Sequence, residues 1–227
     1  MGVIYLIRHG QAGFLKEDYD QLSDLGAKQA QLLGNALKER NQTLSKIKSG
    51  SLVRHRKSAD HCLESFGLKL PFSVDDRWNE YDHMELLVKH NPRFTDYSAI
   101  GDHLKQQENP MRSLQQILNN SIADWIKGEK EYALEWQLFK ENSWNALKEL
   151  ADQLNSGENA WVFTSGGPIS VILIQLLSLQ DEQFVELQGR LVNSSVTKIL
   201  VGKNGLSLST YNDYSHLDHD RKLITYR

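Results

Sequence analysis

The N-terminal run Val3-Ile4-Tyr5-Leu6-Ile7 passes without a break into Arg8-His9-Gly10-Gln11. Five consecutive apolar, mostly β-favouring residues suit a strand covered on both faces, as in a parallel sheet. A guanidinium, an imidazole and a glycine directly after such a strand are not core residues. In open α/β sheets ligands bind beyond the carboxyl ends of the strands. This junction therefore suggests a fold class and also the edge of the sheet where chemistry should sit.

Working outward, the rest of the chain alternates strand and helix signals. Ser23 has the character of an N-cap, and Gly26, Ala30, Leu33 and Leu37 form one apolar stripe of a helix ending near Arg40. Ile47 to Ser51 is a weak strand candidate. Leu52 to Phe66 reads as a helix stopped by Gly67, and Phe72 to Val74 as a short extended piece. From Asn79 to about Glu141 the β signal disappears. Met111, Leu114, Leu118, Ile122 and Trp125 mark one clear helix there, and the segment has too few large apolar residues for a core of its own. Trp144, Leu147, Ala151 and Leu154 lead back to the sheet. Trp161-Val162-Phe163 is the next buried strand, followed by a helix over Ile169 to Leu179. Asn204-Gly205 between Val196–Val201 and Leu206–Tyr211 signals a hairpin. The expectation is a single domain over residues 1–227. It is a three-layer α/β/α fold with a mostly parallel open sheet, an antiparallel edge hairpin and a helical insert at about 79–141.

Composition narrows the function classes. The chain has 227 residues, 40% apolar and 24% charged, with a formal net charge of −3. It lacks the basic excess of a broad nucleic-acid binder. Its single cysteine, Cys62, allows no internal disulfide and no cysteine-based zinc site, which fits a reducing, cytoplasmic setting. Val3 to Ile7 is too short for a signal segment, and the charge at Arg8 follows it instead of preceding it. Ala160 to Leu179 is broken by Ser165-Gly166-Gly167-Pro168, so it reads as strand, turn and helix, not as a membrane span.

At the first strand end, Arg8 offers a planar fork suited to phosphate, Gly10 permits close approach of a ligand, and His9 can take a phosphoryl group on a ring nitrogen. The plainer alternative is that Arg8 pairs with a carboxylate and His9 caps a turn. Arg54, His55, Arg56 and Lys57 are the densest basic patch: a solvated helix face, or an attractor of phosphorylated substrates. Cys62 and the tryptophans Trp125, Trp136 and Trp144 read as packing residues. His216, Asp218 and His219 resemble a loose metal cluster, but a solvated tail explains them as well, and no metal is expected.

Leu6-Ile7-Arg8-His9-Gly10-Gln11 resembles the Arg-His-Gly signature of the histidine phosphatase superfamily, the phosphoglycerate-mutase-like proteins. Further segments resemble that family in order. They are Leu22 to Gly26 with Gln29-Ala30, Ser51-Leu52-Val53-Arg54 with Ser58-Ala59, Trp78-Asn79-Glu80-Tyr81-Asp82, and Thr164-Ser165-Gly166-Gly167-Pro168-Ile169. The resemblance implies that His9 is the phosphorylated nucleophile, that Arg8 and Arg54 clamp the phosphoryl group, and that Glu80 is the acid. A raised Glu80 pKa is then expected from burial near Trp78. Asp82 is the alternative acid. Gly10, Gln11, Thr164, Ser165 and Gly166 are the expected substrate contacts.

Ser165 departs from the family pattern, which has a second histidine there. Serine donates a hydrogen bond but brings no charge, and Thr164 can add a second donor. His83 and His216 are the candidates to replace the missing imidazole. The expected activity is cofactor-free hydrolysis of a small phosphorylated metabolite through a phosphohistidine, with the insert as a lid and no nucleic-acid or membrane partner. A non-catalytic binder of phosphorylated ligands is the rival that Ser165 favours. A phosphoglycerate-mutase-type phosphotransferase is another, but it needs a dedicated basic pocket.

Overall fold

The structure is a computed structural model that describes residues 1–13 and 20–226. Six strands form one sheet: β1 (Gly2–Arg8), β2 (Lys46–Ser49), β3 (Ser73–Val74), β4 (Asn159–Thr164), β5 (Val196–Gly202) and β6 (Gly205–Asp213). Their order is β3-β2-β4-β1-β5-β6. β1, β4, β2 and β3 run parallel, whereas β5 pairs antiparallel with β1 and β6 antiparallel with β5. This is the mostly parallel sheet with an antiparallel edge that the strand signals imply.

The run Val3 to Ile7 is continuous because both faces of β1 are covered. Ile4 and Leu6 face one core with Val162, Leu147, Leu150, Ile169, Ile172 and Leu173. Tyr5 and Ile7 face another with Ala30, Leu33, Leu37, Cys62, Trp161 and Phe163. The alternation is the two-residue period of a strand. The first core is supplied by α6 (Trp136–Asp152) and α7 (Gly166–Leu177), the second by α1 (Asp24–Glu39) and α2 (Val53–Phe66). Ser23 caps α1 by accepting from the Gly26 N–H, as its position suggests.

Register places the chemistry. Arg8 of β1 lies opposite Thr164 of β4, and Ser49 of β2 opposite Phe163. The three parallel strands therefore end together, and His9, Ser165 and Gly50 leave the sheet at one edge.

The insert is richer in structure than its sequence suggests. It contains α3 (His83–His90), α4 (Tyr97–Lys105) and α5 (Pro110–Lys127), the first two capped by Asp82 and Asp96. Leu87, Phe94, Ile100, Leu104 and Leu114 make a small core of its own, contrary to expectation, because three short helices share one apolar centre. A second, aromatic cluster of Tyr81, Trp125, Trp136, Phe139 and Phe184 with Val171 and Ile174 ties the insert to α7. Phe184 opens α8 (Phe184–Arg190), a helix with no clear periodic signal. Among the described residues no helix is long and apolar enough to cross a membrane.

Candidate active site

His9 follows β1 and is held by its backbone. Its N–H donates to the Thr164 carbonyl at 2.9 Å, and its carbonyl accepts from the Ser194 N–H at 3.1 Å. The imidazole is 4% exposed. Nδ1 lies 2.7 Å from the Gly10 carbonyl, which can only accept, so Nδ1 carries the proton and Nε2 the lone pair. The Arg54 Nε–H points at that lone pair from 3.3 Å. Burial, then Arg54, His55 and Arg8, hold the His9 pKa well below its usual value. The ring is therefore neutral, with its Nε2 lone pair accepting from Arg54.

Gly10 has a different task from the one expected. A Cβ there would lie 2.3 Å from the Gly26 carbonyl oxygen, so the close approach it permits is to α1. Its N–H donates to Ser58 Oγ at 3.0 Å. Gln11 is likewise tied inward: its N–H donates to Gln29 Oε1 at 2.8 Å and its carbonyl accepts from Ser23 Oγ at 3.1 Å.

Arg8 and Arg54 converge on His9 from two elements. The Arg8 guanidinium donates to the Leu191 carbonyl and, at 3.0 Å, to the Tyr226 carbonyl, which fixes its plane. Arg54 sits in the first turn of α2, whose preceding residue Leu52 makes no side-chain cap. Asp20 takes that place, accepting from the Val53 N–H at 2.8 Å and from Arg54 Nη1 at 2.9 Å. One carboxylate both caps the helix and orients the Arg54 guanidinium. The basic patch thus splits: Arg54 and His55 are buried, Arg56 and Lys57 exposed.

Glu80 closes the other side. Its Oε2 accepts from the Gly167 N–H at 3.1 Å and from Gln188 Nε2 at 3.3 Å. Its Oε1 is shielded from solvent and has no partner among the described residues. A Cβ on Gly167 would meet that oxygen at 2.0 Å and Phe139 Cζ at 3.0 Å, so only a glycine lets α7 approach the carboxyl this closely. Burial raises the Glu80 pKa against the opposing pull of Arg54, the Gly167 N–H and Arg8. Asp82, the alternative acid, is exposed and caps α3.

The remaining expected contacts divide. The Thr164 hydroxyl donates to the Trp78 carbonyl at 2.6 Å, so it is occupied within the protein. Ser165 is fully buried, its Oγ 2.6 Å from His55 Nε2. The Gly166 carbonyl accepts from Ser170 inside α7. His83 lines the cavity, 3.0 Å from the Tyr97 hydroxyl, its pKa lowered by burial to about 4. His216 stands instead beside Asp213 and Arg40, with burial lowering its pKa to about 4. Among the described residues no group of three His, Cys, Asp or Glu is placed to hold a metal ion, the tail residues included. The cavity over His9 measures about 260 Å³ and is walled by Arg8, Glu80, α8 and, from the insert, Gln115, Leu118 and Ile122.

The His9 imidazole, the Arg8 guanidinium and the shielded Glu80 carboxyl thus line one cavity, with Arg54 against the ring. The histidine phosphatase superfamily (branch 1) model matches residues 4–214, and the chain belongs to that family. Among curated proteins none matches this chain in sequence. Solved structures share the fold. A phosphoserine phosphatase variant from Entamoeba histolytica, in complex with phosphoserine, is 16% identical with a TM-score of 0.67, covering 96% of this chain and 100% of its own. A putative α-ribazole-5′-P phosphatase from Escherichia coli is 17% identical with a TM-score of 0.66, covering 93% and 96%. A phosphoglycerate mutase from Bacillus anthracis is 19% identical with a TM-score of 0.60, covering 94% of each chain.

Three residues of the site are invisible to motif reading. Asp20 acts from a turn, Gln188 from a helix without periodicity, and His55 hides in what reads as a basic surface patch. For His55 a signal existed: helical spacing puts it on the face of Ala59 and Cys62, both buried.

Proposed function

We propose that this protein is a phosphomonoester hydrolase that works through a phosphohistidine at His9 on a small phosphorylated metabolite. The observation that carries the reading is the contact of His9 Nδ1 with the Gly10 carbonyl, which leaves the lone pair on Nε2; that lone pair accepts from Arg54 Nε–H until a phosphoryl oxygen of the substrate takes the donor over. In the first step Nε2 attacks phosphorus, an Nε2–P bond forms and the P–O bond to the leaving group breaks. Arg8 and Arg54 balance the charge spread over the transferring oxygens. Glu80, protonated because its pKa is raised, gives its proton to the leaving alkoxide. In the second step Glu80, now a carboxylate, takes a proton from water as the water oxygen attacks phosphorus. The Nε2–P bond breaks and inorganic phosphate leaves. The neighbours in complex with or named for small phosphorylated metabolites support the substrate class, as does a cavity of about 260 Å³ under a helical insert.

The test is hydrolysis of an aryl phosphate with EDTA present, in the parent and in His9→Ala, with trapping of acid-labile phosphate on the parent. EDTA-resistant turnover and labelling that both vanish in His9→Ala are expected. Turnover surviving in His9→Ala sinks the mechanism. Ser165 favours a second reading, a phospho-ligand binder, which the same experiment identifies by thermal stabilisation with phosphate in the absence of turnover.

A further inference from the structure

The mechanism above leaves unused a buried imidazole beside His9. His55 is fully buried, and its ring centroid lies 5.6 Å from that of His9. Its Nε2 is 2.6 Å from Ser165 Oγ, and its Nδ1 has no partner among the described residues. The slot is cut for an imidazole: a Cβ on Gly50 would lie 2.3 Å from His55 Nδ1 and 2.6 Å from Asn79 Oδ1. Burial and Arg54 keep the ring neutral, so it carries one N–H. An orphaned buried N–H is rarer than an orphaned lone pair, which puts the proton on Nε2, where it has a partner. Ser165 Oγ then accepts from His55, and its own proton remains free to donate.

Ser165 also stands where such a proton is useful. Thr164, directly before it, receives the His9 N–H, and Gly167, two residues on, donates to Glu80. A Cβ on Gly166 would lie 3.8 Å from Arg8 Nε. Ser165 thus sits in the short segment that holds the nucleophile at one end and the acid at the other, beside a clamp residue, and is itself fully buried.

We infer that His55 and Ser165 act as one unit, in which Ser165 donates to a phosphoryl oxygen in the transition state and His55 is the positioning residue that aims it. The inference rests on the proposed phosphoryl-transfer reading. His83 and His216 are then not needed in this role.

The test compares the parent with Ser165→Ala, His55→Ala, their double variant and His55→Gln, whose amide can replace the Nε2 donor. Two readouts are taken: kcat and KM for an aryl phosphate, and the affinities for orthovanadate, which mimics the five-coordinate phosphoryl, and for inorganic phosphate. Each Ala variant is expected to lose about 10²-fold in kcat, the scale of one transition-state donor. Orthovanadate affinity should fall with it, while KM and phosphate affinity hold. The double variant should lose no more than a single one, and His55→Gln should recover most of the loss. Unchanged orthovanadate affinity in Ser165→Ala, or losses that multiply in the double variant, overturn the inference. Ser165→Ala removes one oxygen, so the test survives if His55→Ala does not fold. A parent that turns nothing over yet shows the coupled orthovanadate loss sinks the hydrolase reading and leaves the pair standing. A parent that binds neither anion sinks both.

Discussion

Replacing Glu80 by Gln separates proton donation from everything else the residue does. In the parent, Oε2 accepts from the Gly167 N–H and from Gln188, while Oε1 has no partner among the described residues. A glutamine can turn its amide oxygen toward those two donors and its NH₂ toward the former Oε1 position. No hydrogen bond is lost, and volume is conserved. The NH₂ then points where no acceptor stands among the described residues, so the stability read from the melting temperature should fall by no more than the roughly 1–3 kcal/mol of an unsatisfied buried donor. The chemistry should change greatly, because the amide has no proton to give. A positioned general acid contributes about 10²–10⁴-fold, or roughly 3–5 kcal/mol of barrier. That loss should appear in full for an alkyl phosphate, whose alkoxide needs the proton. It should shrink toward nothing for a nitrophenyl phosphate, whose leaving group is already a stable anion. The assay is single-turnover formation of the phosphoenzyme with both substrates across pH. In the parent the alkyl rate should fall as pH rises through the elevated Glu80 pKa, because burial keeps the acid protonated beyond the ordinary carboxylate range. In Glu80→Gln that fall should be absent. Equal loss on both substrates, or a surviving alkaline limb, refutes the assignment.

Acid should destabilise the fold early. His9, His55, His83 and His216 all have pKa values lowered by burial, the latter two to about 4. A depressed histidine pKa means that the unfolded chain takes up protons first, so stability falls as pH drops below about 6.5 toward 4. Glu80 works in the opposite sense, since its raised pKa adds stability as pH falls, but it is one group against four. Thermal midpoints measured from pH 7 to 4 should decline, and a flat profile contradicts the burial of these rings. Gly10→Ala should unfold at lower temperature by way of strain, because its Cβ would sit 2.3 Å from the Gly26 carbonyl oxygen. Overpacking of this kind costs about 1–3 kcal/mol, read in urea unfolding, and a stability unchanged from the parent would mean the two backbones can separate freely.

Much of the fold is legible where a local signal and a burial requirement coincide. Val3 to Ile7 shows both faces of β1 because a strand covered twice has no polar face to reveal. Ser23 and the stripe from Gly26 to Leu37 announce α1 by cap and period. Asn204-Gly205 marks the turn between β5 and β6. The insert is less legible: α3 and α4 have only 8 and 9 residues, little more than two turns each, and each alone has too few apolar residues to show a period. Their shared core of Leu87, Ile100 and Leu114 exists only once three helices meet.

The candidate site divides along the same line. Arg8 and His9 stand at a strand end that the hydrophobic pattern marks, and Arg54 and Glu80 are reached through segments that resemble the family's. Which groups touch was a matter of register. β1, β2 and β4 stop at one level, and only that brings Ser165 of one loop to His55 of another helix, 110 residues away in sequence. The same geometry gives Asp20 to Arg54 and Gln188 to Glu80. A side chain's type is written in the chain, but its hydrogen-bond partner is chosen by packing. Thus the sequence determined the sheet and the place of Arg8 and His9 at its edge, and the tertiary structure decided that Thr164 is spent on Trp78 while Ser165 is paired with a histidine.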